Sequence, residues 1–434
     1  MPTAQWRHDQ RDALMSFATN AVMPAGFGYL DAEGHHQPNH GIELWINGRF
    51  THVFACEVAR GNAQARPYLD LGMKALTTSL RDPVYDGWFA SVKTGTDPAD
   101  LDAEGHAAPF TEADTIKQSY SHAFVILAAA SALQVGHPAA QPLLDDALAL
   151  FERYWWEPQY GRVCESYPRD WSTSEAYRGI NANMHTTECL LACYDATGER
   201  KYLERALGIL RFTMSGAAEN NYRIREHYTA DWQFDNDYNR DRPADPFRPW
   251  GATVGHGFEW ARLALQAGIV AHRAGVIDLE DEKDLLVMTP LRLIAQAEAD
   301  GWHADGADGF VYTTDFEGQP ITHERMHWVV CEAVNAAHVA RLALAELADA
   351  GMTFPEGVPD APLALEGKEE AWWQYAQRYL IAAPGRWLEE LDRENHLSER
   401  TWTGMPEIYH AYQSLVLPDG DYAVGFAKAA KAQA

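Results

Sequence analysis

The apolar positions of this chain fall into long helical runs, and the runs come in pairs of unlike character. Residues 8–22 read as an opening helix, with Leu14, Phe17 and Val22 on its apolar side. The stretch 43–60, ELWINGRFTHVFACEVAR, is apolar on most sides, whereas 63–79 carries a single stripe through Tyr68, Leu71 and Leu76. The alternation recurs as 117–132 with 137–155, 181–194 with 201–212, 255–274 with 279–299, and 324–347 with 369–383. A final pair begins at Glu407. A helix apolar all round belongs in an interior and a striped one at a periphery. Short extended pieces are predicted at Trp88–Val92 and as a hairpin from Phe310–Thr314 towards Glu317 and Gly318. The glycine-rich residues 24–40 predict a turn or short hairpin over one end of the fold.

One polar residue marks the start of each more apolar helix: Arg49, His122, His185, His256, His327 and His410. They recur roughly every 60–85 residues, about the length of a helical hairpin with its connections. Six stacked hairpins close into a ring, apolar helices inside and striped ones outside. The expected fold is therefore all-α, an (α/α)6 barrel with short β-hairpins in its loops, forming a single catalytic domain over residues 1–434. Inner helices that all run the same way bring their polar starts to one rim. A sheet-based fold lacks its alternating buried strands here. No GxGxxG or GxxxxGK[ST] phosphate loop is present, so no nicotinamide or nucleotide cofactor is implied.

Charge narrows the partners. With 62 acidic against 35 basic residues the formal net charge is −27, which excludes the basic patch that nucleic acid or an anionic membrane requires. MPTAQWRHDQ lacks the basic start and apolar run of a signal peptide, and no run of about 18 apolar residues offers a membrane span. Five cysteines without a framework spacing fit reduced thiols, and a cytoplasmic location is expected. Fifteen Trp and nineteen Tyr serve the core first. As a population they also suit a sugar pocket, because sugar C–H faces stack on rings.

The candidate chemistry centres on FRPWGATVGHGFEW, residues 247–260. Pro249, Gly251 and Gly255 interrupt regular structure before a helical period begins, placing His256 and Glu259 three apart at a helix start, where a carboxylate can hold an imidazole. GINANMHTTE repeats the grammar with His185 and Glu188, and His410 stands in PEIYHAYQ. Imidazole takes and returns protons near neutral pH, so two of them facing a carbonyl sugar can move a proton between adjacent carbons. Metal readings are weaker. Dinuclear carboxylate sites use Glu-x-x-His, the reverse order, and the further inward acid is chiefly Glu332. His35, His36 and His40 lack a ligand spacing on a rigid element. A glycoside hydrolase on the same ring needs two carboxylates; Asp305, Asp308, Asp315 and Glu332 are candidates in less ordered contexts. A non-catalytic sugar-binding protein explains the aromatics but not the histidines.

Six words together resemble the N-acylglucosamine 2-epimerase superfamily, most closely its aldose–ketose isomerase branch: PAGFGYLDAEG, LWINGRFTHVFA, EAYRGINANMHTTE, FRPWGATVGHGFEW, DGADGFVYTTDFEG and EIYHAYQSLVLP. They span residues 24 to 418. The resemblance implies an (α/α)6 barrel and metal- and cofactor-free proton transfer through a cis-enediol. The expected substrate is a monosaccharide: D-mannose ⇌ D-fructose, with D-lyxose ⇌ D-xylulose as a second pair and 2-epimerisation as the alternative. It implies His256 for ring opening and oxygen-bound protons, His410 for the carbon-bound proton, and Glu259 as their catalytic partner. Arg49, Asn181 and His185 are the implied sugar contacts, joined by Trp45, Arg248, Trp328 and Glu332 as further candidates. Relatives that accept a sulfonated sugar carry Gln three residues before the Tyr of the IYH word. Pro406 stands there instead, which favours a neutral hexose.

Overall fold

The computed structural model describes residues 1–355 and 361–433. Its α-helices in chain order are α1 (Ala4–Ala18), α2 (Leu44–Ala59), α3 (Arg66–Lys74), α4 (Ser119–Gln134), α5 (Ala140–Leu150), α6 (Ile180–Thr197), α7 (Arg200–Glu219), α8 (Val254–Arg273), α9 (Thr289–Gly301), α10 (His327–Asp349), α11 (Ala361–Tyr375), α12 (Tyr409–Val416) and α13 (Phe426–Lys431). Helices α2, α4, α6, α8, α10 and α12 form an inner ring, as their all-round apolarity demands. In α8 every residue from Val254 to Ala271 is buried. The outer helices α3, α5, α7, α9 and α11 each pack on the inner helix that precedes them.

The sixth pair departs from the expected order. The partner of α12 is not a later segment but α1, so the two ends of the chain complete the ring. The short α13 instead packs on α2, α4 and α6. Close approach of α2 and α4 depends on Gly48, where an added methyl would lie 2.5 Å from the Phe124 Cβ and 2.9 Å from its backbone carbonyl.

A small device fixes the starts of the inner helices. Two-residue strands before α2, α4, α6, α8 and α10 (Ile42–Glu43, Lys117–Gln118, Arg178–Gly179, Ala252–Thr253, Arg325–Met326) pair antiparallel with short strands that follow each outer helix. The first helical N–H then donates to the residue just before that partner strand: Leu44 to Ala90, Ser119 to Glu165, Ile180 to Glu226, Val254 to Tyr312, His327 to Glu389, at 2.9–3.1 Å. Each helical hairpin is thus clasped at one rim, and a helix N–H that has no partner within its own helix is satisfied there. The predicted strand Trp88–Val92 shortens to Ser91–Val92, and Thr313–Thr314 pairs both with Ala252–Thr253 and with Pro320–Thr322. The hairpin expected within 24–40 instead forms at its leading edge, Val22–Met23 pairing with Gly26–Phe27.

Helix α10 is long and apolar enough by composition to cross a bilayer, contrary to the sequence reading, but 78% of its most apolar window is buried inside the ring. It is a core helix.

Candidate active site

The helix register decides what faces the ring axis. Residues four apart lie one above the other on a helix. Counting from each helix start, the second residues are Trp45, Tyr120, Asn181, Gly255, Trp328 and His410. The sixth residues of the first five inner helices, one turn deeper, are Arg49, Phe124, His185, Glu259 and Glu332. A cavity opens between these layers. It is lined by Trp45, Arg49, Tyr120, Asn181, His185, His256, Glu259, Trp328 and His410, together with Phe247, Tyr312, Trp402, Glu389 and Glu407. Gly255 is the bare member of the upper layer because the Trp328 indole occupies its side-chain space, 2.2 Å from where a methyl would sit.

Three imidazoles are held the same way. His256 Nδ1 lies 2.8 Å from Glu226 Oε2, His410 Nδ1 3.1 Å from Glu332 Oε1, and His185 Nδ1 3.5 Å from Glu188 Oε2. A carboxylate oxygen accepts, so each Nδ1 donates, and in the neutral ring the lone pair is on Nε2. Among the described residues no protein group bonds these three Nε2 atoms. Burial pulls the His185 imidazolium down to about 4 and also lowers His410, so both stay neutral bases at pH 7. Trp328 lies between the other two, its ring 5.5 Å from His256 and 5.7 Å from His410.

The floor holds two carboxyl groups of unlike character. Arg262 donates to Glu332 at 2.7 Å but lies 3.5 Å from Glu259, whose Oε1 is buried without a hydrogen bond. Burial, reinforced by Glu332, drives the Glu259 carboxyl well above its ordinary range. Glu332, with Arg262 and His410 beside it, is held low against the same burial. Glu259 is therefore a neutral acid facing the cavity. Glu188, although buried, is kept ionised by its contact with His185, and the Tyr409 hydroxyl donates to it.

At the mouth, Phe247 is 41% exposed and meets Trp402, Tyr120 and Trp45 edge-on at 4.9, 5.7 and 6.3 Å. These rings make an apolar rim for a hydroxylated ligand.

Several sequence expectations change. Glu259 does not hold His256; Glu226, thirty residues earlier, does, because the clasp of α6, in which its carbonyl accepts from the Ile180 N–H, sets it beside Thr253 and His256. Glu332 lies below the cavity and orients His410, so it is not a substrate contact. Arg248 faces an adjoining cleft, where two hydrogen bonds to Glu175 and a stack on Tyr177 engage it. His122, fourth in its helix, points outward and bonds the Ala147 carbonyl at 2.8 Å. Among the hydrolase candidates, Asp305 is tied to Arg325 and His323, Asp308 accepts from Tyr379 and Asp315 caps a turn, and none lines the cavity.

Three His/Glu groups bring ligand-type atoms within 4.8 Å: His185–Glu188–Glu259, Glu259–Glu332–His410 and His327–Glu389–Glu407. In the first two the nearby Arg262 already supplies the cation that the carboxylates need. In the third, opposite nitrogens of one ring face the two acids, a bridge rather than a chelate.

A profile of the N-acylglucosamine 2-epimerase (GlcNAc 2-epimerase) family matches residues 26–414. The chain is 40% identical to a D-mannose isomerase of Thermobifida fusca, over 95% of this chain and 93% of that protein. It is 38% identical to one of Pseudomonas cannabina pv. alisalensis, over 95% and 92%. A crystal structure of a D-mannose isomerase superposes with a TM-score of 0.78 at 24% identity, over 95% and 97% of the two chains.

Proposed function

The chain belongs to the N-acylglucosamine 2-epimerase family, and from that premise we propose that it is an aldose–ketose isomerase interconverting D-mannose and D-fructose, with D-lyxose and D-xylulose as a second pair. The observation that carries this reading is the convergence of three carboxylate-held imidazoles, each with a free Nε2, above a neutral Glu259 in one cavity. The whole chain acts as one catalytic unit in this proposal. Its five buried free thiols suit a reducing compartment such as the cytoplasm.

The steps use only the chain's own groups. His256 takes the O1 proton and delivers it to O5 as the C1–O5 bond opens, giving the open-chain aldehyde. His410 then removes the C2 proton, and the released pair forms C1=C2 as the C1=O1 π pair moves onto O1, giving the cis-enediol as its enediolate. His256 carries the O2 proton to O1, and His410, its proton exchanged with solvent, delivers one to C1, leaving a carbonyl at C2. Each such transfer contributes roughly 10²–10⁴-fold. Glu259 donates a hydrogen bond to the oxygen where charge develops, a preorganised contact that strengthens in the transition state. His185, Asn181 and Arg49 hold sugar hydroxyls, and Trp45, Trp328 and Phe247 cover its apolar faces. Glu389, Glu407 and Arg49 share the cavity wall, and Pro406 adds no donor for an anion. The pocket accordingly suits an uncharged sugar.

Turnover of D-mannose in D₂O tests the reading by product analysis. Fructose bearing deuterium at C1 is the expected result. Deuterated glucose without fructose replaces isomerisation by 2-epimerisation, and no carbon exchange removes the proton-transfer mechanism.

A further inference from the structure

Helix α12 carries His410, yet among the described residues it is the one inner helix that no two-residue strand precedes. The residue before it, Ile408, is not extended (φ −119°, ψ −2°). Its start is held by other means. Glu407 Oε2 accepts from the Tyr409 N–H at 2.5 Å and lies 3.9 Å from Arg49 Nη1. Glu407 Oε1 is 3.3 Å from Nε2 of His327, the first residue of α10, and the other ring nitrogen, Nδ1, is 3.4 Å from Glu389 Oε2. The His327 N–H bonds the Glu389 carbonyl at 3.1 Å. One buried ring thus ties the clasp of α10 to the lead-in of α12, three residues from His410, which Glu332 orients.

We propose that His327 is a positioning residue: as an imidazolium bridging Glu389 and Glu407, it takes the place of the missing clasp and sets α12, and with it His410, against the cavity. Glu389, just before the strand after α11, and Glu407, just before α12, are the charged groups that face it. Around those two carboxylates stand Glu390, His410, Arg49 of α2, Tyr29 of the N-terminal loop and Cys331 of α10. Burial alone would neutralise His327, but Glu389 and then Glu407 lift it to about 9. Glu407 is held down to about 2 despite its burial, by His410, His327 and Arg49. Burial pushes Glu389 up to about 7. Two carboxylates flank the ring at ion-pair distance, one to each nitrogen, and Nδ1, Glu389 Oε2 and Glu407 Oε1 have no hydrogen-bond partner besides among the described residues.

The inference rests on the isomerase reading for its kinetic arm, so wild-type mannose turnover is the control. Wild type, His327→Gln and Glu389→Gln are compared for kcat and KM from pH 6 to 10, and for Tm at pH 7 and pH 10. Because the folded-state pKa of His327 is raised, its contribution is complete below the unfolded value and lost as pH rises through about 9. The expected result for His327→Gln is a fall in kcat of about tenfold or more at pH 7, with KM nearly unchanged. Its Tm deficit at pH 7 closes by pH 10, and the wild-type alkaline limb is absent. Glu389→Gln, which removes the main group raising His327, moves that limb to lower pH. Wild-type kcat and an unmoved limb in His327→Gln overturn the proposal. If that variant does not fold, an unmoved limb in Glu389→Gln does so. If the wild type leaves mannose unchanged, the isomerase reading falls, and the bridge is judged by Tm alone: an equal deficit at pH 7 and pH 10 overturns it.

Discussion

Glu226 reaches across the rim to hold His256, its Oε2 accepting from Nδ1 at 2.8 Å while its Oε1 accepts from the Thr253 N–H at 3.0 Å. One carboxylate therefore fixes both the start of α8 and the tautomer of its imidazole. A glutamine at 226 can donate as well as accept and loses that tautomer selection. Glu226→Gln is expected to lower kcat by about 10²-fold with KM little changed. Steady-state fructose formation measures it, and an unaltered kcat would remove Glu226 from the catalytic arrangement.

His410→Ala removes the base assigned to the carbon-bound proton. The expectation is a loss of about 10²–10⁴-fold in turnover, with far-UV circular dichroism retained. Retained exchange of the C2 proton in that variant would reassign the carbon base, with His185 next to be tested.

Chelation should leave the activity intact. The proposed steps need only imidazole and carboxyl groups, and Arg262 fills the cationic role between Glu259 and Glu332. Prolonged EDTA treatment followed by gel filtration is expected to leave turnover undiminished. Activity that disappears and returns with a divalent ion contradicts the mechanism.

Acid should weaken the fold through its neutral histidines. Burial holds His52, His122 and His185 down to about 4. Between the unfolded value near 6.5 and that level the unfolded chain binds more protons, so stability falls as pH falls. Each contributes on the order of 3 kcal/mol to the total loss across that range. His122→Gln, which can keep the bond to Ala147, is expected to shrink the drop in Tm between pH 6.5 and 4. An unchanged drop would exclude His122 as a contributor.

Phe247 touches the rim and not the proton path. Phe247→Ala is expected to raise KM for mannose several-fold with a smaller effect on kcat, since it removes stacking surface worth about 1 kcal/mol. A selective fall in kcat would instead mean that the ring shields the reaction from water.

All six inner helices were legible in the sequence, because a helix buried on every side leaves an apolar signature that tertiary packing reinforces. The six polar markers did fall near their starts. Their rotation was not legible: two positions of difference turn His122 outward while Phe124 faces the axis, and periodicity alone does not set the phase of an all-apolar helix. The role of Glu226 was hidden for another reason, since it depends on a clasp between strands too short to leave a sequence pattern. Arg248 lay in the right word but on a loop whose path is set by Glu175 and Tyr177. The pairing of α1 with α12 joins residues about as far apart as the chain allows, beyond any local signal.

That last pairing orders events at the ribosome. Helix α1 is made long before α12, so its buried side, with Leu14, Met15, Phe17 and Ala18, waits for the packing of α12 until the five preceding inner helices have been made. His410 emerges on the very segment that supplies the cover. A product cut short before it lacks both the seal and the base, so the protein's chemistry begins only when its architecture is finished.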